Sequence, residues 1–365
     1  MMAETKINIG PVHPSTHGVL RLVVTLDGDT VTHVEPHIGF LHRGVEKLVE
    51  TRMYMQSPSY MEKLDYVAPL CHDELYVSTV EALLGVTVKE RAQWVRVVQM
   101  ELQRIASHLF FLGTVLNDIG QLFTVFMWVF KDRDLVLRLL EEGTGGRMFY
   151  VNMRVGGVNR DLPPGFAEHA CKVLDYLEHR VKEYEDYLNS SSIFMERMKG
   201  IGVLDSRKAI NMGVTGHMLR ASGVEYDARK AHPYYIYEKL RFRQMVENGG
   251  DCYARYKVRM REIVESIRLV REALHSMPDG DALGMPIRLI GPLPKEKEVV
   301  VRRELPRGEG MMYLIPDGQR PYRLAIRAPC FINAYTLEHL PVGHRLQDLF
   351  AIMASIDLVL ADVDR

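Results

Sequence analysis

The sequence predicts an α+β fold, mainly a bundle of long helices with small flanking β-sheets. Residues 1–40 contain runs rich in β-branched residues, which are typical of strands. Residues 41–200 carry apolar side chains at spacings of three and four, which is the period of a helix. Residues 201–365 mix both patterns. Because no repeat or low-complexity linker divides the 365 residues, we predict a single domain, 1–365, made of these three regions.

The N-terminal region is predicted to open with a hairpin. Residues 19–26 form a β-branched run, Asp27-Gly28 is a strong turn signal, and residues 30–34 return. Further helices and strands follow from the same patterns. Helices are predicted near 43–52, 66–84, 88–117, 121–142, 163–188, 254–275 and 346–356, and strands near 298–304, 311–315 and 322–327.

The segment 88–117 has the clearest helical pattern. An apolar stripe runs along one side of it and predicts a buried face, formed by Val95, Val98, Leu102, Ile105, Leu109, Leu112 and Leu116. Glu101 and Arg104 fall on a different stripe, and one interpretation makes them an i,i+3 ion pair on a solvated face. His108 is predicted to be buried.

Charge and cysteine content exclude several classes of protein. With 46 basic and 47 acidic residues the net charge is -1, so bulk electrostatics gives no attraction for nucleic acid or an anionic membrane. The four cysteines are far apart, form no metal-binding pair, and are predicted to be buried thiols of a cytoplasmic protein. The N-terminus carries no hydrophobic export signal, which agrees with that location.

The window 109–130 is almost apolar, but it contains Asp118 and two glycines. An ionised carboxylate in mid-membrane would cost several kcal/mol, so we predict a buried helix pair rather than a membrane span. Helices that are apolar on all sides occur in large cores or against other subunits. The window therefore suggests large partners.

The loop 10–18 carries two histidines between prolines and glycines, and the prolines predict that it is not helical. Its two histidines, with His37 and His42, lack the cysteine neighbours or i,i+4 spacing of a standard zinc site, so no bound metal is predicted. Neither a Gly-x-Gly-x-x-Gly turn nor a Walker loop supports nucleotide binding. What remains is a polar set in apolar surroundings: His13, His17, the Asp65-Tyr66 pair and Asp118.

Asp118 requires a partner, because desolvation disfavours an unpaired ionised carboxylate. A histidine is one apt partner. Backbone amides or an arginine are the structural alternative, so the pattern alone leaves the partner open.

Six sequence strings together resemble the NuoD family of respiratory complex I subunits. They are GPVHPSTHGVLRL at 10–22, PHIGFLHRGVEK at 36–47, RIASHL at 104–109, MRVGGV at 153–158, LRASGV at 219–224 and ADVDR at 361–365. Strings of this length in this order are specific, and they cover nearly the whole chain.

The resemblance implies a fold like that of the nickel-iron hydrogenase large subunit. Those hydrogenases hold their metal with a cysteine pair near each end of the chain, whereas segments 58–68 and 355–365 contain no cysteine here. Hydrogenase activity is therefore disfavoured. Two alternatives to a complex I subunit stay open: the large subunit of a membrane-bound energy-converting hydrogenase, against which the missing cysteines argue, and a non-catalytic scaffold derived from it.

The resemblance also implies a quinone site at an interface with the NuoB subunit. His17 and Tyr66 would hydrogen-bond the two carbonyls of a quinone that enters from NuoH, and Asp118 would pair with His17. Electrons would come from the terminal iron-sulfur cluster of NuoB, and the reaction would be coupled to proton translocation. The chain itself would bind no cofactor. It would lie with NuoC and NuoI as a peripheral protein on the cytoplasmic side of the cell membrane.

Two residues near that cluster depart from the family pattern. Lys63 stands where relatives often have an arginine, and Phe149 where many have a histidine that bonds to the cluster. Losing a titrating donor is expected to lower the cluster potential and its dependence on pH. A low-potential quinone, menaquinone rather than ubiquinone, is therefore favoured.

Overall fold

Long helices make up most of the fold. A computed structural model describes residues 4–120, 123–286, 292–293 and 296–365. The helices are α1 (Val45–Glu50), α2 (Pro58–Met61), α3 (Pro69–Leu84), α4 (Glu90–Asp118), α5 (Phe123–Thr144), α6 (Phe166–Ser190), α7 (Ser192–Met198), α8 (Ser206–Met212), α9 (His217–Ala221), α10 (Ala228–Ala231), α11 (Cys252–Ser276), α12 (Pro329–Ala334), α13 (Leu346–Ile356) and α14 (Leu360–Asp364).

The strands form small, separate antiparallel sheets. They are β1 (Thr5–Ile9), β2 (Val12–His13), β3 (Gly18–Val19), β4 (Arg21–Asp27), β5 (Thr30–His37), β6 (Met153–Arg154), β7 (Gly157–Val158), β8 (Val299–Leu305), β9 (Gly308–Asp317) and β10 (Arg320–Arg327). The two larger sheets have the orders β1-β4-β5 and β10-β9-β8, and β2 pairs with β3. The predicted hairpin is present, with Asp27 opposite Thr30 and Gly28 at a φ of 65°. The α+β class is confirmed.

Helix α4 runs through the middle of the helical part and packs against α5 and α11. All seven residues of its predicted apolar stripe are fully buried. Removing so much apolar surface from water is the main term that stabilises such a helix. The prediction of one buried face is therefore confirmed.

The structure contradicts the interpretation that places Glu101 and Arg104 on a solvated face of α4. Glu101 and Arg104 do pair, at 3.3 Å, but both side chains are buried. Glu101 also meets Arg229 at 3.0 Å, and Arg104 donates to the carbonyl of Leu305 on β8. Charges at helical spacing look alike in sequence whether they meet water or other charges, so only the tertiary fold separates the two cases.

Smaller differences concern element ends and exposure. Helix α3 begins at Pro69 rather than 66, because Asp65 caps the preceding turn by accepting hydrogen bonds from the amides of Val67 and Ala68. The predicted start of the next long helix, at 121, lies outside the described residues. Cys171 is partly exposed, whereas the other three cysteines are buried as predicted.

In the part of the chain that the structure describes, no helix combines the length and the apolar character that crossing a membrane requires. The window 109–130 instead contributes to α4 and α5, which pack against each other. Phe110 and Phe130 meet across this pair, with ring centroids 5.6 Å apart.

Candidate functional site

The loop 10–18 is a compact turn rather than an extended loop. Residues Pro14–Thr16 form one turn of 3-10 helix, which the sequence did not predict. Its cap is His13, whose Nδ1 accepts a hydrogen bond from the Ser15 amide at 3.2 Å. The His13 ring also stacks on Phe350 of α13, with centroids 5.4 Å apart. His13 therefore braces the loop against the C-terminal helices.

His17 ends this turn with a left-handed backbone, φ 51° and ψ 37°. Such a conformation is uncommon outside glycine, although histidine adopts it more readily than most residues. It places the imidazole Nε2 2.6 Å from Oδ2 of Asp118, the last residue of α4. The side chain of Asp118 is 3% exposed and that of His17 is 23% exposed. The structure thus contains the predicted His17–Asp118 pair.

The surroundings of His17 favour its protonated form. Burial lowers the pKa of the imidazole, but the contact with Asp118 and the negative charges of Asp118 and Asp357 outweigh it, so the pKa is raised above its ordinary value. His17 therefore holds a proton more firmly than a free histidine.

Tyr66 lies in the turn before α3 and is half-buried. It lines a cavity of about 230 Å³ together with Gln103, Arg133 and Tyr150. Burial first, and the charge of Asp65 second, raise the pKa of its phenol. Tyr66 is thus a hydrogen-bond donor that keeps its proton at neutral pH.

A buried arginine, Arg307, pairs with Asp65, the residue before Tyr66. Arg307, in the turn between β8 and β9, donates to Asp65 Oδ2 at 2.6 Å and to Asp357 Oδ1 at 3.5 Å. The charge of Asp357 acts on both Tyr66 and His17. No hydrogen bond joins Tyr66 to His17 within the described ranges; what the two share is the charge of Asp357.

Lys63 and Phe149 lie together on the surface. The Lys63 ammonium is 5.5 Å from the centroid of the Phe149 ring, and Phe149 is 40% exposed. Glu62, next to Lys63, joins the two segments by accepting hydrogen bonds from the amides of Tyr150 and Val151 at 2.8 and 2.6 Å. The two residues that depart from the family pattern therefore share one surface patch.

Sequence reasoning missed Glu62, Arg307 and Asp357. Arg307 and Asp357 stand in short turns with no periodic pattern, and their relation to Tyr66 arises only when distant parts of the chain are folded together. One signal was available for Asp357: it is a carboxylate within the apolar run 351–361, and a buried carboxylate requires a partner.

The described residues contain no cluster of three or more histidine, cysteine or acidic side chains that could hold a metal ion. Asp362, in the C-terminal segment, instead meets Nε2 of the buried His72 at 3.0 Å. The carboxylate also accepts from the Cys330 amide. Both oxygens of the Asp362 carboxylate therefore have partners within the protein, and the residue has a structural role.

A family model described as the 49 kDa subunit of respiratory-chain NADH dehydrogenase matches residues 118–289 and 287–365. The chain belongs to this family. It is 44% identical over 360 residues to the D-type subunit of NADH-quinone oxidoreductase from Dehalococcoides mccartyi, with 98% of both chains covered. It is 43% identical over 383 residues to subunit 4 of the Thermus thermophilus enzyme, covering 98% of this chain and 93% of that one. The resemblance to the NuoD family is thereby confirmed.

The family motifs that are distant in sequence meet in the fold. Asp364, in the terminal ADVDR string, accepts hydrogen bonds from the amides of Gly39 and Leu41 at 2.8 and 2.7 Å. Its backbone carbonyl lies 2.7 Å from Nδ1 of His42. In this member of the family, the strings 36–47 and 361–365 thus form one structural unit.

Proposed function

We propose that this chain is the quinone-site subunit of a proton-translocating NADH-quinone oxidoreductase, respiratory complex I. The observation that carries the proposal is the 2.6 Å contact between His17 and Asp118 at the end of the apolar helix α4. A left-handed non-glycine backbone that presents an imidazole of raised pKa is typical of a functional site. The relatives, which are named as subunits of NADH-quinone oxidoreductase, support the assignment.

The donors suit a quinone. Reduction of a quinone to a quinol takes two electrons and two protons, one proton for each carbonyl oxygen. His17 would donate to one carbonyl and Tyr66 to the other, and the raised pKa of each keeps its proton in place until the oxygen gains electron density. Imidazole and phenolate are then reprotonated from water.

The electrons would come from an iron-sulfur cluster of the neighbouring NuoB subunit. The exposed Lys63–Phe149 patch is the surface on which we place that subunit, since both residues correspond to family positions near the cluster. Lysine keeps the positive charge but lacks the planar fork of arginine. With Phe149 supplying no proton, a low-potential cluster and menaquinone are favoured.

The quinone would enter from the membrane subunit NuoH, with NuoC and NuoI as further partners. The protein would then lie peripherally on the cytoplasmic side of the cell membrane. Loss of the His17 proton would leave Asp118 without its cationic partner, and this local charge change is the proposed trigger for proton translocation.

Inhibitor binding to the purified complex tests the quinone site. His17→Ala and Tyr66→Phe are expected to weaken binding of a quinone-site inhibitor at least tenfold, because each removes a hydrogen bond in a partly desolvated site. His33→Ala and Tyr322→Phe are matched controls on exposed residues and are expected to bind as the unmodified complex does.

Inhibitor binding, hydrogen evolution and nickel content of the same purified complex separate the alternatives. A scaffold with a vestigial site would bind no inhibitor in any variant. An energy-converting hydrogenase would evolve hydrogen and carry nickel in the purified complex. Unchanged binding in both His17→Ala and Tyr66→Phe would contradict the proposal.

Replacing Phe149 with histidine tests the cluster environment. The substitution is expected to raise the cluster potential and to make it fall with pH, at most by about 59 mV per unit for one proton per electron. The measurement is a redox titration of the cluster at several pH values. If the cluster potential of the unmodified complex already fell by about 59 mV per pH unit, Phe149 would not set the pH dependence of the potential.

A further inference from the structure

Asp357 is a buried carboxylate that makes no close charge-assisted hydrogen bond through its side chain within the described residues. It follows the last turn of α13 and has a left-handed backbone, φ 60° and ψ 56°. Glycine or asparagine would adopt this conformation more easily than aspartate. The side chain is almost fully buried, and within the described residues its Oδ2 accepts no hydrogen bond.

Two arginines hold this carboxylate loosely. Arg307 reaches Oδ1 at 3.5 Å, and Arg259 of α11 lies 3.9 Å from Oδ2. Both distances exceed those of a close charge-assisted hydrogen bond, about 2.7–2.9 Å. Arg259 is itself occupied, since it donates to the Ser355 carbonyl at 3.0 Å and stacks 3.7 Å from the Phe111 ring centroid. Asp357 therefore keeps an unbonded oxygen in the protein interior.

The fold brings Asp357 close to both proposed quinone ligands. On one side, the loop of His17 packs against the segment after Asp357: a Cβ added to Gly18 would lie 3.1 Å from Cβ of Leu360. On the other side, Arg307 bridges Asp357 to Asp65, the residue before Tyr66. Asp357 is thus connected to the His17 loop through Leu360 and to the Tyr66 turn through Arg307.

We infer that Asp357 is a positioning residue shared by His17 and Tyr66, whose negative charge keeps both side chains protonated until the quinone accepts their protons. The inference rests on the proposed function and deepens it. His17 then has two anionic neighbours, Asp118 beside it and Asp357 behind it. When His17 gives up its proton, Asp357 loses a favourable interaction and is left with the two arginines.

The charged neighbours of His17 are both acidic, whereas those of Asp357 are of both signs. His17 faces Asp118 from α4 and Asp357 from the end of α13, and both raise the pKa of its imidazole against the effect of burial. Burial is the largest effect on Asp357 and raises its pKa above the ordinary value; Asp65 adds to this, and the positive charges of Arg307, Arg259 and His17 oppose it.

Tyr66 has three charged neighbours that act on its pKa. Burial is the largest cause of its raised pKa; the charges of Asp65 and Asp357 add to it, and that of Arg307 opposes it. Neutralising Asp357 therefore makes both donors more acidic.

The experiment is the pH profile of quinone reduction by the intact complex carrying Asp357→Asn. A raised pKa means that His17 is protonated below it and loses its proton as pH rises through it, so the rate falls on the alkaline side. In Asp357→Asn this fall is expected at lower pH, with a rate at pH 8 relative to pH 6 about threefold below that of the unmodified complex. Asp357→Glu is expected to restore most of the ratio.

If the complex with Asp357→Asn does not assemble, a second variant, Arg259→Met, tests the inference. Removing this positive charge strengthens the net negative field on His17, so the fall in rate is expected at higher pH. A profile that moves in neither variant overturns the inference. Quinone reduction that survives His17→Ala and Tyr66→Phe would instead overturn the proposed function, so the two failures are distinguishable.

Discussion

Replacing Asp118 with asparagine is expected to slow quinone reduction by the assembled complex at least tenfold. Asparagine keeps the shape but removes the charge that lies 2.6 Å from Nε2 of His17. The pKa of His17 then falls, fewer molecules carry the proton at neutral pH, and general acid catalysis, which contributes about 10²–10⁴-fold, weakens. The alkaline fall in rate is expected at lower pH, further than in Asp357→Asn.

The measurements are the pH profile and the number of protons translocated per electron pair. Asp29→Asn is a matched control, because Asp29 lines the same cavity as Asp118 but is exposed. The control is expected to keep both the rate and the stoichiometry. If Asp118→Asn also kept both, the pair would have neither the catalytic nor the coupling role proposed for it.

Replacing Arg220 with alanine is expected to destabilise the protein by about 3–5 kcal/mol, because it leaves buried carboxylates unpaired. Arg220 donates to Glu262 at 2.9 Å and to Glu304 at 2.8 Å, and it lies 3.3 Å from Asp227. All are buried. Burial raises the pKa of Glu304 to about 7, and the nearby Asp227 adds to this, so without Arg220 the cluster would take up protons.

Thermal unfolding of the purified complex, together with the yield of assembled protein, measures this effect. Arg271→Ala is the control: Arg271 pairs with Glu178 and Asp175 at the surface, where such pairs contribute about 0–1 kcal/mol. Arg220→Lys is expected to be intermediate, since it keeps the charge and loses the fork. Equal stability of Arg220→Ala and Arg271→Ala would refute the assigned role.

Periodicity predicted the elements of this fold well because the apolar stripe of α4 and the hairpin at Asp27-Gly28 are local signals. It failed where burial is decided by distant residues. Glu101 and Arg104 can be interpreted as a surface pair, yet Glu101 is covered by Ser266 of α11, by Tyr237 and by the charge of Arg229. A single helix carries no information about what covers its polar side.

The candidate site divides in the same way. Its residues on recognisable strings, His17, Tyr66, Asp118, Lys63 and Phe149, could be named from the sequence, although their roles stay predictions. The unusual backbone of His17 and the buried cluster of Asp65, Arg307 and Asp357 could not, because they depend on a hairpin turn and a helix end that meet only in three dimensions.

The left-handed backbone of His17 sets a trade-off between stability and activity at this position. A residue with a Cβ pays about 1 kcal/mol or more there, which glycine would not. Screening a library for thermal stability alone would therefore enrich glycine at position 17, and the more stable proteins would lack the imidazole that the proposed reaction requires. Stabilising this protein without losing its chemistry means fixing position 17 and selecting elsewhere.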